Sequence, residues 1–290
     1  MKDSKAIFLA IAASFCFGTG FTLAKPAVAH FPPLLMMLLA YVVVGIATFL
    51  TVHRPFKTPW YHALLIASFA VTLQGLFLFQ GLRGLEATTA NLLLQAQVPA
   101  IVLLGWLILG EKLTLQKSIG TLIAIAGVVI IIGLPAEKPP LLPSLAIIAA
   151  GLFWALGQVF IRKFGKDDGE LTLKANAMYS VPQLVVASWF LEDGQWQSIV
   201  TATPIEWATL GFVCIVGFYV AYRCWFGALK RMPLDELAPW VLLMTPIGLV
   251  AAMLVLGERM TLVQVVGAVV LMGGLAIVNG IGVPRRLKAA

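Results

Sequence analysis

Charge is what this 290-residue sequence has least of. Only 11% of its residues are Asp, Glu, Lys or Arg, against about 25% in soluble domains. Hydrophobic residues make up 60%, and the mean hydropathy is +0.96. A soluble core cannot hide so much apolar surface, so a water-soluble fold is excluded. Cysteine is scarce as well. Cys16, Cys214 and Cys224 fall inside apolar runs without metal or disulfide spacing and read as small packing residues. The three histidines, His30, His53 and His62, sit at the ends of runs or between them. No G-x-x-x-x-G-K-[ST] phosphate loop occurs, so ATP is not the expected direct driver. All thirteen Asp and Glu residues lie at the ends of the apolar runs or between them. Without converging Asp, Glu, His, Ser or metal ligands the chain does not read as an enzyme. No catalytic residue, metal or cofactor is expected.

What the sequence does have is long hydrophobic runs. A spanning helix needs about 20 apolar residues, and such stretches lie near 5–29, 33–53, 60–82, 86–109, 114–134, 142–162, 172–192, 204–229, 234–256 and 261–282. The runs are apolar all round, whereas barrel strands alternate in polarity. The expected fold class is therefore all-α: a membrane protein of ten transmembrane helices with short connections. The first run follows MKDSK, which resembles the charged start of a signal peptide; its apolar stretch is long and reads as helix 1, uncleaved.

The net charge of +7 is distributed unevenly. With sides alternating along ten helices, one face collects fifteen Lys and Arg residues (Lys2, Lys5, Arg54, Lys57, Lys112, Lys117, Arg162, Lys163, Lys166, Lys174, Lys230, Arg231, Arg285, Arg286 and Lys288). The other face has four: Lys25, Arg83, Lys138 and Arg259. Cytoplasmic loops carry the excess of Lys and Arg, so both termini are expected in the cytoplasm. The basic charge is thus spent on topology, and no nucleic-acid partner is expected.

The phrase LGEKLTLQKSIG, from Leu109, returns as LGERMTLVQVVG from Leu256. At this offset of 147, Pro99 meets Pro246, Gly120 meets Gly267 and Gly127 meets Gly274; nine of thirty positions from Pro99 are identical. AASFCFGTG (Ala12–Gly20) also aligns with AAGLFWALG (Ala149–Gly157), at an offset of 137. The chain reads as two five-helix units, residues 1–136 and 137–290. Five is odd, so the second unit enters the membrane from the opposite side. Two inverted repeats around a central cavity are the plan of many secondary transporters, with the substrate near the midplane. Within the phrase, Gly110 and Gly257 suit a left-handed helix end, and Thr114 and Thr261 suit the N-cap of the next helix. Thr261 with Gln264 fits a capping box. Glu111 and Glu258 either stay in the headgroup zone of a tight hairpin or take part in gating or proton coupling. Gly120, Gly127, Gly267 and Gly274 allow close helix approach, within the chain or at a dimer surface.

Ten helices in two inverted halves, each ending in P…LGE[KR].T…G…G, resemble the drug/metabolite transporter superfamily and, more narrowly, the ten-helix exporters built of paired EamA domains. Within that group the chain looks most like bacterial exporters of amino acids, including aromatic ones. The resemblance implies a central cavity lined by helices 1, 3, 4, 6, 8 and 9, with helices 5 and 10 at the periphery. Small multidrug carriers of the superfamily rely on a buried membrane carboxylate. This sequence places none at depth, so lipophilic cations are not expected as its main substrate.

The residues themselves point to the same helices. Polar groups at membrane depth need a partner, a cavity or an interface. Thr88, Asn91 and Gln95 share one face of helix 4. Pro99 continues that face and frees the carbonyl of Gln95; Pro246 repeats the kink in helix 9, freeing that of Leu242. These amides either pack helices together or line a wet cavity. Phe17 with Phe21, Gln74 with Phe77, Trp154 with Gln158, and Trp240 with Met244 each share a face of their own helix, as do Tyr219 and Arg223, with Tyr222 alongside. A mid-helix charge such as Arg223 costs about 2.5–3.5 kcal/mol. It either snorkels to the headgroups or binds a substrate carboxylate or helix carbonyls in the cavity. Lys25 reads as an interfacial anchor.

The expected protein is a bacterial inner-membrane secondary transporter. It exports small metabolites, most plausibly amino acids including aromatic and hydrophobic ones, by alternating access. The substrate contacts expected are Phe17, Phe21, Gln74, Phe77, Asn91, Gln95, Trp154, Gln158, Tyr219, Tyr222, Arg223, Trp240 and Met244, with Pro99 and Pro246 as hinges. The partners are the lipid bilayer and a small-molecule substrate, with the chain a monomer or homodimer. The alternatives are a carrier of drugs, sugar phosphates or nucleotide sugars, or a non-transporting membrane enzyme or scaffold. A phosphate carrier calls for two or more basic residues in the cavity.

Overall fold

The computed structural model describes residues 4–133, 139–231, 240 and 242–280. Among these residues every regular element is helical. In chain order they are α1 (Ser4–His30), α2 (Pro33–Thr51), α3 (Trp60–Gly84), α4 (Ala87–Leu109), α5 (Leu115–Gly133), α6 (Leu141–Phe164), α7 (Gly169–Leu191), a short α8 (Gln195–Thr201), α9 (Pro204–Ala228), α10 (Met244–Val255) and α11 (Leu262–Val278). Seven of them, α1 to α6 and α9, are long and apolar enough to cross a membrane; α10 and α11 are apolar but shorter. The chain is a multi-pass membrane protein. The 23-residue α7 is more polar, with Glu170, Lys174 and Asn176 in its first turns. Large apolar side chains, among them Phe8, Phe49, Leu107, Leu122, Trp189, Phe190, Leu254 and Leu262, stand more than half exposed, which suits a lipid-facing belt.

Helix ends follow the chemistry of their sequences. Gly110 and Gly257 adopt φ of +67° and +68°, the left-handed conformation that glycine tolerates without strain. Thr261 accepts from the Gln264 N–H while the Gln264 side chain accepts from the Thr261 N–H, closing the expected capping box. A second box, Thr203 with Glu206, starts α9. Acids also accept from backbone N–H groups remote from them in sequence, in the loop before α3 and at the start of α2. Asp167 accepts from the Lys57 and Thr58 N–H groups, and Glu192 from those of Leu34 and Leu35.

Four features depart from the sequence expectation. The short α8 is an addition between α7 and α9. α4 is broken into Ala87–Leu94 and Gln97–Leu109. Pro99 cannot donate to Gln95, but the Gln95 carbonyl is not left free: the chain tightens and Val98 N–H donates to it at 3.1 Å, a 3₁₀-like contact. An equivalent turn at Leu242–Leu243 precedes α10. The expected helix 9 began at 234; residues 232–239 and 241 lie outside the described residues, as do Lys2, Lys138, Arg285, Arg286 and Lys288. Finally, α3 and α9 each contain a π-helical segment, Ser68–Leu73 and Val213–Val220. A wider turn there has no proline or charge to announce it.

Helix packing places the core. α1 lies against α9 and α10, α6 against α3 and α4, α2 against α7, and α5 against α11. The α5–α11 contact uses the paired glycines: a Cβ at Gly120 would lie 2.8 Å from the Gly274 carbonyl oxygen, and one at Gly127 would lie 2.5 Å from the Leu271 nitrogen. The glycine faces of these helices are therefore used within the chain.

Candidate functional site

α1 carries Ser14, Gly18 and Thr22 at four-residue steps, so they form one stripe. The stripe faces backbone of matching spacing on the other half of the chain. Ser14 donates to the Trp240 carbonyl at 2.8 Å and Thr22 to the Gly248 carbonyl at 2.9 Å. Between them, a Cβ at Gly18 would lie 2.5 Å from the Met244 carbonyl oxygen. Small residues let the backbones meet, and hydroxyls tie them. Trp240 and Met244, named from the sequence as substrate contacts, are thus fixed to α1 through their main chains. The Trp240 side chain packs against a small cluster of Ala6, Ala10 and Ala228.

Two groups of the expected site residues assemble beside this seam. In the first, Phe17 meets Tyr222 edge to face at 5.1 Å, and Phe226 stacks on Tyr222 at 5.9 Å. The Tyr222 hydroxyl also lies beside the side chains of Tyr41 and Trp154. Side chains from α1, α2 and α6 therefore converge on Tyr222 of α9. Tyr219 and Phe21 pack against the same core. Tyr41, fully buried and 5.8 Å from Phe218, escaped the sequence reading. Its signal was available, as the only aromatic hydroxyl in the apolar first half of α2.

The second group is amide-rich. Gln95 and Asn91 are buried on α4, facing α10. The Gln95 amide donates to the Thr245 hydroxyl. Asn91 Nδ2 has no hydrogen-bond partner, and a Cβ at Gly248 would fall 1.9 Å from it. The Thr88 hydroxyl, on the same face, is also buried without a partner. An unpaired buried polar group costs about 1–3 kcal/mol, and this face carries two of them.

Other expected contacts lie elsewhere. Phe77 packs on Phe153 of α6 at 5.3 Å. Gln74 follows the π-helical segment of α3 and Gln158 lies on α6, both half-buried. Arg223 points away from this interior. It pairs with Glu170 at 2.8 Å in a network that also holds Lys230 and Arg54. Arg54 pairs with Asp168 as well. Burial works against the charged form of Asp168, but the Arg54 guanidinium and the Leu171 N–H outweigh it and hold the carboxyl below the ordinary aspartate range.

Lys25, expected at the interface as an anchor, instead turns onto the end of α3, where its Nζ donates to the carbonyls of Leu82 at 2.8 Å, Arg83 at 3.2 Å and Leu85. Opposite it, Glu258 accepts from the Ala87 and Thr88 N–H groups, each at 2.7 Å. Among the described residues no group of three or more His, Cys, Asp or Glu residues is placed to hold a metal.

Known proteins share this plan. A chain of Escherichia coli (strain K12) called a probable amino-acid metabolite efflux pump is 32% identical over 282 residues, covering 93% of each chain. A Salmonella typhimurium protein of the same description is 30% identical over 296 residues, covering 98% of each. A crystal structure at 21% identity superposes with a TM-score of 0.69 over 99% of this chain and all of the other, which speaks to the fold. The model of the EamA-like transporter family matches twice, over residues 4–133 and 141–280. With nearly its whole length so matched, the chain belongs to the EamA-like transporter family of membrane transporters.

Proposed function

We propose that the protein exports amino acids, including aromatic and hydrophobic ones, across the bacterial inner membrane by alternating access. In this reading residues 1–136 and 137–290 are two inverted five-helix repeats. Matched packing supports it. Exchanging the halves turns the α1–α9 contact into α6–α3 and the α1–α10 contact into α6–α4, and it returns α2–α7 and α5–α11 to themselves. Two close backbone approaches obey the same exchange: Gly20 on Gly217, and Gly157 on Ala70. The π-helical segments also fall at matching places in α3 and α9. The fifteen-to-four distribution of Lys and Arg favours cytoplasmic termini.

The observation that carries the substrate class is the meeting of aromatic and amide groups along the seam between the halves. Phe17, Tyr41, Trp154 and Tyr222 offer a ring-lined surface with hydroxyl and indole groups, suited to an apolar or aromatic side chain. Asn91 and Gln95 offer hydrogen bonds for the amino and carboxyl groups. The relatives named as amino-acid metabolite efflux pumps point the same way. Arg223 is occupied by Glu170, which weighs against a phosphorylated cargo. Pro99 and Pro246 mark the breaks about which α4 and the segment entering α10 bend. Counterflow of radiolabelled amino acids into proteoliposomes tests the reading: several aromatic or branched amino acids exchange well above empty liposomes. Flux at the empty-liposome level across all the proteinogenic amino acids overturns it.

A further inference from the structure

Glu111 and Glu258 occupy the same turn in the two halves. Each follows a left-handed glycine, and each N–H returns to the carbonyl six residues back, Gly105 at 3.2 Å and Ala252 at 3.3 Å. The carboxylates therefore leave the chain in the same way, yet they end on different partners. Glu258, from the second half, seats both oxygens on the first two N–H groups of α4 in the first half. Those N–H groups have no partner within their helix, and the helix start favours negative charge. Glu86, at the N-cap, provides no side-chain cap. Lys25 holds the carbonyls that end α3, just before the same turn. The α3–α4 tip is thus clamped twice, by an anion on its amides and a cation on its carbonyls. Burial, with Glu258 adding to it and Lys25 opposing, raises the Glu86 carboxyl above the usual glutamate range, as expected where these charges crowd together.

At the opposite end Glu111 pairs with Arg162 at 2.7 Å. Arg162 and Lys25 correspond at the offset of 137 that aligns the starts of the halves. Each end of the molecule thus holds one glutamate of the repeated phrase and one basic residue near the end of α1 or α6. The residues matching Ala87 and Thr88, Leu234 and Asp235, lie outside the described residues.

We propose that Glu258 is a latch of the transport cycle, closing one face of the membrane by gripping the start of α4 in the opposite half. In this structure the Glu258 latch is engaged, while Glu111 is held by Arg162. The inference rests on the alternating-access reading above and adds a residue that times it.

The test needs no substrate. In full-length protein whose native cysteines are replaced by alanine, Ala90→Cys in α4 reports access through a membrane-impermeant maleimide added on the Lys25 side of intact cells. Glu258→Gln raises its labelling rate about fivefold or more; Glu111→Gln does not raise it. A parallel chain keeping only Cys214, buried in α9, reports general loosening, and its labelling stays unchanged in Glu258→Gln. An unchanged rate at Ala90→Cys, or equal rises at both reporters, overturns the latch. A chain that labels as expected but moves no amino acid keeps the latch and loses the cargo. One that moves amino acids with labelling unaltered keeps the cargo and loses the latch.

Discussion

Replacing Gly20 by alanine tests how closely the halves are joined. A Cβ there would sit 2.3 Å from the Gly217 Cα and 3.3 Å from its nitrogen. Apolar carbons rest at about 3.5–4.0 Å, so α1 and α9 must part by about 1.2 Å or more. The obstacle is backbone, so no side chain can swing aside. Overpacking of this kind costs about 1–3 kcal/mol, partly offset by the gain of about 0.4–1 kcal/mol when a helical glycine becomes alanine. The expected net loss is about 1–2 kcal/mol. Gly211, on α9 itself, is the control, because a Cβ there meets nothing within 4 Å, and Gly211→Ala should be neutral or stabilising. Thermal unfolding in detergent, followed by tryptophan fluorescence, should rank Gly211→Ala at or above the parent and Gly20→Ala several degrees below it. Gly157→Ala, whose Cβ would lie 2.5 Å from that of Ala70, should fall in step with Gly20→Ala. If Gly20→Ala proves as stable as Gly211→Ala, the close approach does not exist and the argument for matched packing fails with it.

Three other outcomes are expected. Ser14→Ala and Thr22→Val each remove one hydroxyl bond between α1 and the α10 region, and unfolding should show a small loss for each, about 0.6 kcal/mol. Asp168 has a folded pKa below its ordinary value of about 3.9. Its stabilisation is therefore fully present above that value and lost as pH falls through the lowered one. The Tm gap between parent and Asp168→Asn should be constant near neutral pH and close only in strong acid; a gap that closes between pH 6 and 8 would contradict this. Tyr222→Phe deletes the hydroxyl beside Tyr41 and Trp154, and under the proposed function it should raise the KM for aromatic amino acids up to about fivefold, the equivalent of one hydrogen bond. Unchanged kinetics would remove this cluster from the site.

The helical membrane fold could be read directly because bilayer thickness dictates run length, and the repeated LGE[KR].T phrase carries its own turn chemistry in Gly110, Gly257 and Thr261. Tertiary contact is a different matter. Phe17, Trp154 and Tyr222 were recoverable as unusual side chains on central helices, but their meeting with Tyr41 is not written in any local pattern. The π-helical turns of α3 and α9 leave no compositional mark, and the break in α4 lies four residues before the proline that accompanies it. Arg223 was ambiguous because a mid-helix cation fits both a cavity and an ion pair, and only the position of Glu170 decides between them in the structure.

The acidic residues show most sharply what one-dimensional reading misses. Their confinement to helix ends suggests avoidance of the membrane interior and nothing more. In the structure Asp167, Glu192 and Glu258, all from the second repeat, end on backbone N–H groups of the first, at Lys57–Thr58, Leu34–Leu35 and Ala87–Thr88. An unpaired N–H at a helix start is a poor neighbour for hydrocarbon, and a carboxylate near the headgroups satisfies two at once without entering the core. The scarcity of charge and its placement thus have one physical cause. A chain that can place few anions in a membrane puts them where backbone N–H groups need them, and when those groups belong to the other half, the same carboxylates also tie the halves together.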